Sequence, residues 1–331
     1  MADRPGKPKS KKKEKEDLRR QTSRQAFLDY YRAQYGDERW SQLLLALEKP
    51  TRYCCLVNKY VDPEALAERL SPVLPRLRQI DFVSIPCLLI EDDENEAAPF
   101  PSPMKDMSNI CSHYLLDAAS VLVTEALEIC ESDRVLDMCA APGGKSLCIV
   151  QRLSNQGALC SNEVSPDRRR RLRTVLQTYC PPDFMENNVR ITGFDATKWA
   201  EYEPGLYDKV LIDAPCSTDR HILHDFEDLL KWTPARLRND SHRQIELLLA
   251  ALGAVKEGGV VVYATCSLAN VENDEVVQKG LAKLQTIRAE IVRRTFPIGE
   301  PTTFGWIVLP DNSGRWGPLY FAILRRLADA A

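Results

Sequence analysis

The chain has 331 residues, 44% hydrophobic and 27% charged, with a formal net charge of −3. That is the composition of an ordinary globular protein able to bury a full core, and it excludes a uniformly basic surface. No uninterrupted apolar run approaches the roughly 18 residues a membrane-spanning helix needs, and the first apolar stretch follows a long polar start, so neither a membrane span nor a secretory signal is expected.

Eleven cysteines at irregular spacings in a chain this long do not make a disulfide scaffold. There is no Cys-x-x-Cys pair, and His113, His221, His224 and His242 are not at zinc-finger spacing, so no metal site is expected. The thiols fit a reduced intracellular protein that uses most of them as small buried apolar residues.

In chain order, Met1 to Arg24 carries ten Lys or Arg against four acids and few hydrophobes, which predicts a disordered basic tail over 1–24. Phosphate contact and simple solubilisation both suit it. Residues 25–103 form a helix-rich amino-terminal region: Gln25 to Lys49 is helical on both sides of a Gly36 break, Pro63 to Leu77 is another helix, and EDDENEAAPFPSP (Glu91 to Pro103) is a linker.

From 104 to 331 strands and helices alternate. His113 to Cys130 is read as a helix, RVLDM as a strand, and a helix starts near Lys145. ALCSNE is a strand ending at Glu163, and Pro166 to Tyr179 is a helix bearing RRRRLR at 168–173, which reads as a phosphate contact or as a solvated face. The strand VRITG, a strand from Tyr207 to Asp213, a helix from about Asp240 to Val255 and the strand GVVVYA follow. Such repeats predict an α/β, doubly wound, mainly parallel Rossmann-like sheet. The ending GWIVLPDNSGRWGPLYFAIL predicts a closing antiparallel pair.

Ligands of such sheets bind outside the carboxyl ends of the strands, at the switch point. The first strand delivers DMCAAPGGKS there. Gly144, Lys145 and Ser146 match the end of a phosphate loop, but its first glycine is replaced by Cys139, and Pro142 removes a backbone donor. The alternative is a nucleoside cofactor over the Gly143-Gly144 turn, with an acid about twenty residues on for the ribose hydroxyls, where Glu163 stands. Asp195, after the third strand, is placed to accept from an adenine amino group. Four acids at successive strand ends (Asp137, Glu163, Asp195, Asp213) suit a cationic, sugar-bearing ligand, which describes S-adenosylmethionine.

Two strands also end in thiols, Cys266 after GVVVYAT and Cys216 three residues past Asp213. Methylating an amine or a hydroxyl needs only a positioned lone pair. Methylating carbon 5 of a pyrimidine needs more: a thiolate added to carbon 6 makes an enamine-like ring whose carbon 5 can attack the methyl group. Such a thiolate needs a nearby cation or helix amino terminus; Lys145 and the helix opening around Asn270 to Glu275 offer both. Asp213 is placed to hydrogen-bond the base. A loop of the Asn/Asp-Pro-Pro-aromatic kind is absent, since Asp213-Ala214-Pro215-Cys216 puts a thiol where the aromatic ring would be.

DMCAAPGGKS, DAPCSTDR and YATCSL, in this order, resemble the Sun-domain (Fmu/RsmB-like, NSUN-type) RNA cytosine-5 methyltransferases over about Lys105 to Arg326. The resemblance implies that Cys266 is the nucleophile, that Cys216 assists release, that Asp213 orients the cytosine and that Lys145 lies at the reacting base. It also implies a cofactor site lined by Cys139, Ala140, Ala141, Pro142, Gly143, Gly144, Lys145, Glu163, Arg168, Asp195 and Asp213.

QYGDERW, YLLDAAS and GPLYF are most similar to the mitochondrial branch, which acts on small-subunit ribosomal RNA or on a tRNA. That implies the mitochondrial matrix. Glu14, Glu16 and Asp17 are unlike an acid-poor transit peptide, so cytosol or nucleus is the alternative. With no appended RNA-binding module in view, target choice is expected from the amino-terminal region, the arginine cluster or a separate RNA-binding partner protein. The competing readings are an RNA-binding ribosome-assembly factor of the same fold whose catalysis is dispensable, and a protein or DNA methyltransferase.

Overall fold

A computed structural model describes residues 11–91 and 100–328; most of the acidic linker and residues 1–10 of the basic tail lie outside them. The chain opens with two helices, α1 (Lys11–Tyr35) and α2 (Asp37–Glu48), broken at Gly36 as expected. A small antiparallel sheet follows, made of β1 (Cys54–Val57), β2 (Leu77–Gln79), β3 (Cys87–Ile90) and β4 (His113–Leu116) in the order β2-β3-β1-β4, with α3 (Pro63–Leu70) between its first two strands.

The alternating part runs through α4 (Ala118–Glu125), β5 (Arg134–Asp137), α5 (Gly144–Arg152), β6 (Ala158–Asn162), α6 (Pro166–Tyr179), α7 (Pro182–Asn188) and β7 (Val189–Thr192). It continues with α8 (Trp199–Tyr202), β8 (Tyr207–Asp213), α9 (Asp219–His224), α10 (Phe226–Leu229), α11 (Pro234–Ala254), β9 (Val255–Thr265) and α12 (Asp274–Ala282). The short strands β10 (Ala289–Ile291), β11 (Glu300–Pro301) and β12 (Trp306–Val308) and the long β13 (Leu319–Arg326) close the fold.

The large sheet has the order β11-β12-β13-β9-β8-β5-β6-β7. From β7 through β9 every pairing is parallel, and β13 joins β9 antiparallel with Tyr320 opposite Thr265. The doubly wound, mainly parallel sheet and its antiparallel close are those expected from the sequence. Strand alternation divides the core: Val260, Val262 and Ala264 face α4, α5 and α6, while Val261 and Tyr263 face α1, α2, α8, α11 and α12. Each such aliphatic side chain, fully buried, contributes about 1.5–3 kcal/mol.

Two expectations are corrected and a third is extended. Lys11 to Arg24 is helical rather than disordered, because it continues into the buried half of α1. There Phe27 and Tyr31 pack with Trp40 and Trp232, Phe27 lying 4.8 Å from Tyr31 and 5.1 Å from Trp232 between ring centroids. The amino-terminal region is helix-rich as expected and in addition holds the small sheet, whose last strand lies past residue 103. Finally, His113 to Leu116 is a strand rather than the start of a helix, since Asp117 caps α4 by accepting from the Ala119 N–H at 2.8 Å.

Candidate active site

The chain winds from β5 through β6 to β7 on one side and returns to β8 on the other, so the switch point lies between β5 and β8. The loop leaving β5 is pinned at its start, where Met138 N–H donates to Leu211 O at 2.9 Å and Ala140 N–H to Asn162 O at 2.8 Å. It then turns at Gly143, whose φ of 123° is unsuited to an L side chain, and a β-carbon there would stand 3.0 Å from Val175. Gly144 is as closely approached, by Tyr114 at 3.1 Å.

Arg168 ties the loop to the second strand end. Its Nη2 donates to Ala141 O at 2.8 Å and its Nε lies 3.4 Å from Glu163 Oε2. Arg169 donates to the carbonyls of Glu163 and Val164. The basic run is therefore divided: Arg168 and Arg169 shape the strand ends, while Arg170, Arg171 and Arg173 face solvent.

Asn162 is an organising residue that the sequence reading passed over. Its Nδ2 donates to Met138 O and to Phe194 O, both at 3.1 Å, and its Oδ1 accepts from Phe194 N–H at 2.8 Å. One amide thus joins the ends of β5, β6 and β7.

The other half of the candidate site lies toward β8 and β9. Lys145 Nζ is 2.9 Å from Asp213 Oδ2. Burial works to discharge this ammonium, but the Asp213 carboxylate outweighs it, with Cys266 adding to the effect, and holds Lys145 above the ordinary lysine value. Cys216 and Cys266 bring their sulfurs to 3.2 Å. The hydrogen bond to Cys266, then burial, pushes the Cys216 thiol well up, so Cys216 keeps its proton.

Lys145, Asp213 and Cys266 open into a cavity of about 680 Å³, along with Asp117, Thr218, Arg220 and the Gly317–Leu319 turn. Arg220 fixes that wall by donating to Lys49 O at 2.9 Å and to the carbonyls of Arg315 and Gly317. Neither Asp117 nor Arg220 was singled out from the sequence; only the acid preceding AAS in YLLDAAS hinted at the first.

Some expected positions differ in detail. Asp137 does not face a ligand: it is sealed beneath the loop, burial pushes its carboxyl up to about 7, and Ser146 Oγ donates to it at 2.6 Å. Ser146 is thereby turned inward, away from the open edge where the last residue of a phosphate loop would meet a metal. Asp195 stands at the far end of the row, exposed, with Oδ1 accepting from Thr197 N–H and Oγ1. The helix start beyond Cys266 is a 3-10 turn, Asn270–Glu272, followed by α12. Asn273 there donates to Ser267 O at 2.9 Å.

A family model described as 16S rRNA methyltransferase RsmB/F matches residues 124–324. The chain belongs to the RsmB/F methyltransferase family. This RsmB/F member is 34% identical over 341 residues to the 5-cytosine rRNA methyltransferase NSUN4 of Bos taurus, with 90% of this chain and 86% of the relative aligned. It is 33% identical to the tRNA (cytosine(34)-C(5))-methyltransferase, mitochondrial, of Danio rerio, over 91% of this chain and 87% of that one. Among solved structures, NSun6 from Pyrococcus horikoshii shares the fold at a TM-score of 0.73 and 20% identity, covering 92% of this chain and 98% of its own.

The matched segment of the RsmB/F member holds all three motifs and both thiols, whereas α1, α2, α3 and all four strands of the small sheet lie outside it. Among the described residues, no helix is long and apolar enough to cross a membrane.

Proposed function

We propose that the chain transfers a methyl group from S-adenosylmethionine to carbon 5 of a cytosine in structured RNA, through a covalent bond between Cys266 and the base. The observation that carries this reading is the thiol pair, 3.2 Å apart at two adjacent strand ends, beside the Lys145–Asp213 pair. A flipped-out base entering the 680 Å³ cavity meets Cys266, Lys145 and Asp213 together.

In this reading the ammonium of Lys145 is the counter-ion for a Cys266 thiolate, and Asp213 hydrogen-bonds the polar edge of the cytosine. The sulfur adds to carbon 6 and carbon 5 becomes the nucleophile. Once carbon 5 has been methylated, its hydrogen leaves as a proton to water in the cavity, the C–H electron pair re-forms the C5–C6 double bond, and Cys266 departs from carbon 6 with the carbon–sulfur pair, the protonated Cys216 assisting by donating to the leaving sulfur.

The residues at the first three strand ends suit the cofactor. The backbone of 139–144 offers a turned, closely packed floor with no side chain at Gly143 or Gly144, and Glu163 offers an acid for the ribose hydroxyls. When bound there, the sulfonium supplies an electrophilic methyl group. Glu163→Ala is expected to weaken S-adenosylmethionine binding about 10- to 100-fold, the loss of charge-assisted hydrogen bonds. Calorimetric titration of the purified variant checks this; unchanged affinity removes Glu163 from the site.

The reaction is tested by incubating the protein with labelled S-adenosylmethionine and RNA, DNA or protein separately, and then with RNA containing 5-azacytidine. Label in RNA alone, together with a denaturant-resistant adduct, is expected. Label only in DNA or protein, or no adduct, overturns the reading. Small-subunit ribosomal RNA or a tRNA of the mitochondrial matrix is the favoured target, as the named relatives suggest. Bisulfite sequencing of total RNA with and without the protein identifies the cytosine, and pull-down under the same conditions shows whether a separate RNA-binding partner protein accompanies it.

A further inference from the structure

Each thiol is followed in the chain by a buried serine, and the two Cys-Ser pairs lie side by side, with Ser217 Oγ 2.9 Å from Ser267 Oγ. Two buried acids cross between their loops. Asp219, which follows the β8 loop, accepts from Leu268 N–H at 2.8 Å, from Ser267 Oγ at 3.0 Å and from Ser217 Oγ at 2.9 Å. Glu272, which follows the β9 loop, accepts from Ser217 N–H at 3.1 Å and contacts Ser217 Oγ at 2.5 Å and Ser267 Oγ at 2.6 Å. Gln244 of α11 completes the arrangement, donating to Glu272 Oε1 and to Pro215 O, both at 2.9 Å.

The protons do not balance if both acids are ionised. Five close contacts join the two hydroxyl oxygens, Asp219 Oδ2 and Glu272 Oε2, yet the two serines supply only one hydrogen each. A proton on one carboxyl fills a further contact and removes the repulsion between two anions held by the same hydroxyls. We propose that Glu272 is a positioning residue which, carrying that proton, locks Asp219, Ser217 and Ser267 into a cross-brace and so sets the spacing at which Cys216 and Cys266 meet.

The catalytic meaning of that spacing rests on the reading above; the brace itself does not. Burial, with the Asp219 charge beside it, pushes the Glu272 carboxyl up to about 7. The groups facing it are Asp219 on α9, Tyr30 and Tyr31 on α1, Tyr263 on β9 and the Cys216 thiol. The brace is intact below pH 7, where the proton stays on, and loosens as pH rises through about 7, where Glu272 ionises against Asp219.

The test uses the full chain without RNA or cofactor. Diamide accepts two electrons and two protons from Cys216 and Cys266: one sulfur adds to its nitrogen, the other displaces it, and a hydrazine leaves as the disulfide forms. The rate of closure, read by peptide mass mapping, reports how often the sulfurs meet. At pH 6, Glu272→Ala is expected to close at least tenfold slower than wild type. Glu272→Gln sets an amide N–H where the carboxyl proton sat, so it matches wild type at pH 6 and exceeds it at least threefold at pH 8. A wild-type to Glu272→Gln ratio that stays constant between pH 6 and pH 8 overturns the proposal, as does a Gln variant as slow as the Ala variant. Should the Ala variant fail to fold, the ratio alone decides. Failure of the methyl-transfer reading shows in the RNA assays and leaves this result unchanged.

Discussion

Cys266→Ala is expected to abolish methyl transfer to RNA, by on the order of 10⁴-fold or more, and to form no adduct with 5-azacytidine RNA. The size of the effect follows from the chemistry: carbon 5 of cytosine is a poor nucleophile, and no other described thiol shares the cavity with Lys145 and Asp213. Stability should change little, about 1 kcal/mol, because Cys266 is only partly buried at the cavity wall. Filter-binding and denaturing-gel assays with labelled RNA measure both outcomes. If Cys266→Ala forms the adduct as well as wild type, the thiol assignment is wrong. If it restores growth to cells lacking the protein, the assembly-factor reading gains the ground that the enzymatic one loses.

Cys216→Ala separates the two thiols. Attack by Cys266 does not require its neighbour, so the covalent bond still forms, whereas expulsion of the enzyme slows by about 10²- to 10⁴-fold, the range for a lost acid–base group. The variant should therefore accumulate on ordinary RNA as a denaturant-resistant complex approaching one RNA per protein. The division rests on the contact between the two sulfurs, 3.2 Å apart, and on the Cys216 thiol being pushed well up by that contact and by burial. Multiple turnover at the wild-type rate, with clean release, would deny Cys216 its role.

The large sheet was readable from the sequence because β8 and β9 are long, apolar and followed by acids or thiols, and because DNSGRWG could only be a turn. The small sheet was hidden. Its strands are three or four residues long, too short to show alternation, and His113 to Leu116 merges with the apolar run of α4 unless Asp117 is recognised as a cap. The candidate site divides in the same way. Residues within a motif, such as Gly143, Lys145, Asp213 and the thiols, stand out by order and type, and the structure brings Lys145, Asp213 and Cys266 to one cavity. Asn162, Asp219, Gln244 and Glu272 act through hydrogen bonds between segments far apart in the chain, and no local pattern marks those, although the serine repeated after each cysteine was a visible sign.

The end of α1 touches the loop that carries Cys266. Gln34 Nε2 and Tyr35 OH both donate to Leu268 O, at 2.7 and 2.9 Å, and Asn270 N–H donates back to Gln34 Oε1 at 3.0 Å. A chain cut back to residues 124–324 would keep all three motifs and lose these three hydrogen bonds to the loop that carries Cys266.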